Sequence, residues 1–487
     1  MKKLFRVAAS GGALLVLLAA PVYSQTTFRK YVALGDSLTA GVEGNCLVER
    51  HQRRSYPKLV ADEIGITDFQ QPLLSELPLT SPGTGVCLGT VVSGNTITVG
   101  PVSNQGFPLN ATLPRPYDNL GIPGANAADL VDLRVANPGG GTAARAATLI
   151  LRNAPTQPFE GRSALDEANL LSPDLVTVWI GNNDVLGAAL SAAAVEGVTL
   201  TPVAVFDAKF TQLMTGLRAT GRRIVALNIP DVSALAFTRT IPPVVVNPAT
   251  RQPVLVNGQP VSLLGPRTTA TCQTAPCPLP AGTLVTLGAS PLLGSGVGIP
   301  ASVGGTGAPL PDGGISGSTF SQGVLLYPDE VALIQQRGNA LNASIATIAG
   351  ANGATVLDIH ALFDEMVAHG YEVGGGITLT TSFLTGGIFS ADGFHASNIG
   401  YAIVATKIVE HLNDVAGTDF ELPDMAQALF TPDVPFSTAG AVDPSAGPFQ
   451  YSIGTWKRLV ESVGAIGAEF DVVFPTPGKS PAKALAP

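Results

Sequence analysis

Hydrophobic and polar positions along the chain follow two periods. Short continuous apolar runs read as buried strands: YVAL at 31–34, LVTVWI at 175–180, RIVALNI at 223–229 and ATVLDI at 354–359. Between them, apolar residues recur three and four apart. SYPKLVADEIG (55–65) predicts a helix, with Ser55 at the N-cap, Pro57 in the first turn and Gly65 as the stop. ANAADLVDLRV (125–135) predicts another. Val203, Phe206, Phe210, Leu213 and Leu217 form one apolar stripe on a helix over 203–220, stopped by Gly221. Val331, Ile334, Leu341, Ile345 and Ile348 do the same over 327–350, and Val404, Ile408 and Leu412 over 397–412. Strands alternating with helices predict an α/β protein whose parallel sheet is covered on both faces. Ligands of such sheets gather at the C-terminal strand ends.

Three stretches break this rhythm. Residues 66–116 are rich in Pro, Gly, Thr and Ser, with one strand-like piece, TVVSGNTITVG, and read as an insertion. Residues 232–326 are dense in Pro and Gly and too long for an ordinary loop. They predict a second insertion with sparse structure of its own. Residues 413–487 are a mixed tail with a helix expected at TWKRLVESVGA. The expected organisation is therefore a leader over 1–24, one large domain over 25–412 that contains both insertions, and a C-terminal extension over 413–487. A hydrophobic content of 45% supplies ample core, and 55 glycines with 39 prolines, not periodic, fit a fold with many turns.

The leader MKKLFRVAASGGALLVLLAAPVYSQ has a basic start, an apolar middle and small residues Val22 and Ser24 before Gln25. It predicts a secretory signal peptide cut after Ser24. The apolar run is short for a membrane span, and none of spanning length follows, so the mature chain is expected to be soluble and exported. Loss of Lys2, Lys3 and Arg6 takes the formal charge from −9 to −12. An acidic surface argues against a nucleic-acid partner. Export permits disulfides. Of the three pairings that Cys46, Cys87, Cys272 and Cys277 allow, proximity favours Cys272–Cys277, leaving Cys46 with Cys87. No Cys-x-x-Cys pair supports a zinc site.

The candidate chemistry sits where strands end. YVAL runs into Gly35-Asp36-Ser37-Leu38, and LVTVWI into Gly181-Asn182-Asn183-Asp184. A serine hydroxyl becomes a nucleophile only when a base takes its proton. Of the five histidines, His51 lies among arginines, His360 follows a strand, His369 precedes a glycine and His411 ends a predicted helix. His395 differs: Asp392 stands three residues before it in a turn, where a carboxylate can reach Nδ1 and leave Nε2 free for Ser37. An oxyanion would need donors, and the Ser37 N–H, the Gly124 N–H and the Asn183 amide are the candidates. Taken singly, each feature also fits a plainer role: a surface Asp-Gly turn, a loop-ending glycine, a helix-capping asparagine.

In this order the four segments resemble the four blocks of the GDSL family of esterases and lipases, also called SGNH hydrolases. Gly35-Asp36-Ser37-Leu38 is similar to the nucleophile block, and Asn119-Leu120-Gly121-Ile122-Pro123-Gly124 to the glycine block. Gly181-Asn182-Asn183-Asp184 is similar to the asparagine block, and Asp392-Gly393-Phe394-His395 to the Asp-x-x-His block. The resemblance implies a flavodoxin-like three-layer α/β/α sandwich. It implies Ser37 as nucleophile, His395 as base and Asp392 as its orienter, with Ser37, Gly124 and Asn183 forming the oxyanion hole. It implies an ester substrate, possible without metal or organic cofactor. Acyl transfer to an alcohol and polysaccharide deacetylation would use the same residues, and a binding protein on a retired hydrolase scaffold is the alternative outside enzymes.

Overall fold

A computed structural model describes residues 27–93, 96–134, 141–219, 221–430 and 471–475. The expected signal peptide and the helix expected at TWKRLVESVGA lie outside them. Strand β1 (Tyr31–Gly35) leads into helix α1 (Ser37–Ala40), and α2 (Tyr56–Glu63) follows. Strands β2 (Leu74–Leu77), β3 (Gly85–Ser93) and β4 (Thr96–Pro108) precede β5 (Asn119–Gly121). Then come β6 (Leu175–Trp179), α3 (Asn183–Ser191), α4 (Val203–Leu217) and β7 (Arg223–Leu227). The last are α5 (Pro328–Ala351), β8 (Thr355–Leu357), α6 (Ile359–His369) and α7 (Asn398–Ala416).

The central sheet is five-stranded and parallel, in the order β8-β7-β6-β1-β5. Every residue of β1 and β6 is buried, which is why these strands appear as unbroken apolar runs. Alternate side chains serve opposite faces. Val32, Leu34, Val176, Val178, Ile224 and Ala226 pack with Phe206, Phe210 and Leu213 of α4 and with Ile334, Leu341 and Ile345 of α5. Tyr31, Ala33, Leu175, Trp179, Val225 and Leu227 pack with Tyr56 and Val60 of α2 and with Tyr401, Ile408 and Leu412 of α7. This is the expected three-layer α/β/α sandwich. Each buried aliphatic or aromatic side chain adds about 1.5–3 kcal/mol, so the two half-cores hold the sheet edge rigid. Among the described residues, no helix is long and apolar enough to cross a membrane.

Several local expectations change. The helix expected over 125–135 is only the short turn Asp129–Asp132. Side chains claim the preceding backbone: Asp184 Oδ2 accepts from Ala127 N at 3.0 Å, and Asn126 Oδ1 from Ala128 N at 2.9 Å. The run ATVLDI is strand only over Thr355–Leu357. Asp358 then caps α6 by accepting from Ala361 N at 2.9 Å, and His369 is the last residue of that helix. His51 lies in the short helix Glu49–Gln52 and is buried.

The first insertion forms an antiparallel sheet in the order β2-β4-β3. The second keeps short pieces only, yet it buries Phe237, Val285, Leu287, Leu310 and Phe320. Arg267 moors it to α5, its guanidinium meeting Asp312 at 2.5 Å and Glu330 at 2.8 Å. Both expected disulfides are present, Cys46–Cys87 and Cys272–Cys277.

Candidate active site

The site is assembled at the C-terminal ends of β1, β5 and β6. Ser37 opens α1 directly after β1, with Asp36 as N-cap accepting from Leu38 N at 2.9 Å. The sharp change from strand to helix explains Gly35: a Cβ there would stand 2.1 Å from Thr39 Oγ1 and 2.3 Å from Trp179 O. Position 35 thus has no room for a side chain between β1 and β6. Ser37 keeps 8% exposure.

Asp36 is fully buried and accepts from Asn182 Nδ2 at 2.8 Å, so it links the loops after β1 and β6. Burial pushes its carboxyl up to about 6, against the hydrogen bonds from Asn182 and Leu38 and the nearby His395. Asp184, also buried, is pushed up to about 7 by burial, against a bond from Thr201 and the bond from Ala127 N. Asn183 donates from Nδ2 to Ala125 O at 2.8 Å. Asn183 and Asp184 together therefore fix the backbone just after Gly124. The N–H groups of Ser37 and Gly124 are bonded to no backbone carbonyl among the described residues. As first-turn and loop donors they are free to meet an anion.

His395 and Asp392 come together as their spacing predicts. Nδ1 of His395 lies 2.7 Å from Asp392 Oδ2. The exposures are 5% and 0%. The carboxylate also accepts from Asn45 N at 2.8 Å, Ser390 Oγ at 3.0 Å, Phe394 N at 3.0 Å and His395 N at 2.9 Å. Burial alone would raise its pKa. The His395 charge and these donors outweigh that, and the net shift is downward. Ser37 and His395 share no hydrogen bond in this structure. Their segments are tied instead by Tyr401 Oη donating to Val42 O at 2.7 Å and by the Asn45–Asp392 bond.

Three of the other histidines have other partners. His360 Nδ1 lies 3.0 Å from Ile229 O, and His411 Nε2 lies 2.9 Å from Thr355 Oγ1. His51 Nδ1 is 3.4 Å from Cys46 O. Among the described residues, no cluster of three or more His, Cys, Asp or Glu could hold a metal ion. Asn182, Asn45 and Ser390 support the site, and sequence reasoning missed them. Asn182 and Asn45 act on partners far away in the chain, which leaves no local pattern, and Ser390, two residues from Asp392, is one serine among many beside a turn.

A parallel sheet between two helical layers, with its polar groups gathered at one strand edge, defines the class: a three-layer α/β/α protein built to hold a ligand at that edge. The profile of the GDSL-like lipase/acylhydrolase family matches residues 31–408, and the chain belongs to that family. Membership supports hydrolase activity of the esterase and lipase type. A solved structure, an extracellular lipase from Streptomyces rimosus, is 15% identical, with 79% of this chain and 99% of that chain covered at a TM-score of 0.30. No curated protein matches the chain.

Proposed function

We propose that the protein is an exported serine hydrolase of carboxylic esters. Ser37 is the nucleophile. Asp392 holds His395 through Nδ1, which leaves Nε2 to take the Ser37 proton as Oγ bonds to the acyl carbon. The carbonyl π electrons move to oxygen, and the Ser37 N–H, the Gly124 N–H and the Asn183 amide receive the oxyanion. The tetrahedral intermediate collapses, and His395 returns the proton to the departing alcohol. Water, deprotonated by His395, then releases the acid from Ser37.

The observation that carries this reading is the 2.7 Å Asp392–His395 contact, buried at the sheet edge where β1 delivers Ser37. Free Ser37 and Gly124 N–H groups support the oxyanion site, and family membership supports the reaction class. Two disulfides support an oxidising destination outside the cytoplasm.

The test is hydrolysis of p-nitrophenyl acetate, butyrate and palmitate by the wild type and by Ser37→Ala. Turnover should disappear in the variant, and the chain-length profile should separate a small-acyl esterase from a lipase. Wild-type turnover in Ser37→Ala would refute the assignment.

A further inference from the structure

The carboxylate of Asp392 is held partly by a turn almost the whole domain away in sequence. Glu43 and Cys46 exchange backbone hydrogen bonds of 3.1 Å in both directions. Gly44 and Asn45 are therefore the two central residues of a tight turn. Their φ values, 55° and 59°, both lie in the left-handed region that a two-residue hairpin turn requires. A Cβ on Gly44 would also stand 2.1 Å from Leu88 O. The tip of the turn faces the loop that carries Asp392 and His395. Asn45 N donates at 2.8 Å to Asp392 Oδ2, the same oxygen that meets His395 Nδ1. Gly44 N donates at 3.1 Å to Ser390 Oγ, and Ser390 Oγ donates at 3.0 Å to Asp392 Oδ1. One turn thus reaches both carboxylate oxygens, one directly and one by relay.

The first insertion keeps this turn in place. Cys46 is crosslinked to Cys87 in β3, and both are 1% exposed. Next to the crosslink, Leu88 N donates to Gly44 O at 2.7 Å. Leu47 N donates to Gln105 Oε1 of β4 at 2.8 Å. The 66–116 segment therefore acts as a clamp whose covalent bolt lies one residue from Asn45.

We propose that the Cys46–Cys87 disulfide is a positioning device for Asp392, acting through the Gly44–Asn45 turn. This makes turnover dependent on the redox state of one buried crosslink. The inference rests on Asp392 being the orienter of His395. Reduction by a dithiol converts the disulfide to two thiols and the reductant to its disulfide, with two electrons and two protons transferred. The freed turn withdraws its donors from the carboxylate, and the imidazole loses its fixed orientation. A hydrogen bond to a charged group changes an equilibrium by roughly tenfold to a hundredfold, and the loss in kcat should have that size.

The experiment compares Cys46→Ser/Cys87→Ser with Cys272→Ser/Cys277→Ser, in the wild-type and Asp392→Asn backgrounds, on p-nitrophenyl acetate. Opening Cys46–Cys87 should lower kcat about tenfold to a hundredfold and leave KM within about twofold. Opening Cys272–Cys277, far from the turn in sequence and joined to no site residue, should leave kcat unchanged. In Asp392→Asn, opening Cys46–Cys87 should cost nothing more, because both changes act through one carboxylate. Ser390→Ala removes the relay without touching either crosslink. It should lower kcat in the same direction at a temperature where its melting curve shows it folded, and it carries the test if the double cysteine variant fails to fold. Wild-type kcat in both Cys46→Ser/Cys87→Ser and Ser390→Ala, with Asp392→Asn impaired, would overturn the positioning role alone. So would an equal further loss in the Asp392→Asn background. Wild-type kcat in Asp392→Asn itself would remove the triad reading, and this inference with it.

Discussion

Asn183 and Asn182 are neighbours with different work. Asn182 spends its amide on Asp36. Asn183 bonds Ala125 O with one amide hydrogen and has a second to offer an oxyanion. Asn183→Ala should therefore lower kcat about a hundredfold, the scale of one lost oxyanion donor. Asn182→Ala should instead act mainly on stability, since it strips a buried carboxyl of its side-chain donor. Steady-state kinetics and thermal melts on the two variants check this division, and the reverse pattern would exchange the roles. At this scale the sequence was informative where partners are close. Asp392 and His395 are three residues apart, and their contact was expected. Asn45 and Asp392 are 347 apart, and they meet through a backbone N–H that every residue but proline carries. No residue-type pattern could mark it.

At the scale of the element, strands were legible because burial on both faces leaves unbroken apolar runs, as in YVALG and LVTVW. Helix boundaries were less so. Helix α6 was hidden because Asp358 both ends a strand and caps a helix, with no glycine or proline between them. The helix Ala164–Leu170 offers a test of buried charge. Glu167 on it is fully buried, and neither carboxyl oxygen has a hydrogen-bond partner. Burial pushes its carboxyl up to about 9 from an ordinary 4.5, although Arg152 and Arg162 oppose the shift. Between those values the folded state holds a proton that the unfolded state has released, so this group lowers stability as pH rises. Glu167→Gln carries no such proton. It should be more stable than wild type by about 1–3 kcal/mol near pH 8 and no more stable near pH 4. Urea unfolding at both pH values reads this, and a gain that is equal at both would contradict it.

For the whole molecule, the sandwich and its strand-edge site were legible because the repeating strand–helix pattern has few solutions. The insertions were not. The 232–326 segment lacks periodicity, yet it packs on the loop that carries Asp392 and His395: Phe237 N donates to Gly393 O at 2.9 Å, and the Phe237 ring meets Phe394 edge-on at 6.3 Å. Its mooring is the half-buried cluster of Arg267 with Asp312, Asp329 and Glu330. Arg267→Met would leave those carboxylates facing one another. It should destabilise the protein by about 1–3 kcal/mol, discounted from a fully buried pair because Arg267 is partly exposed. Activity should fall at temperatures where the wild type is still fully active. An unchanged melting temperature would show that the insertion is held by its apolar contacts alone.

What separates a hydrolase from an inert scaffold is whether Ser37 is an activated nucleophile. Covalent labelling by a fluorophosphonate tests it most directly, because the probe needs the hydroxyl, its base and the oxyanion donors but no particular ester. One adduct per chain is expected, located on the peptide containing Ser37 by mass spectrometry, and absent from Ser37→Ala and His395→Ala. An unlabelled wild-type protein, or an adduct that persists in Ser37→Ala, would contradict it.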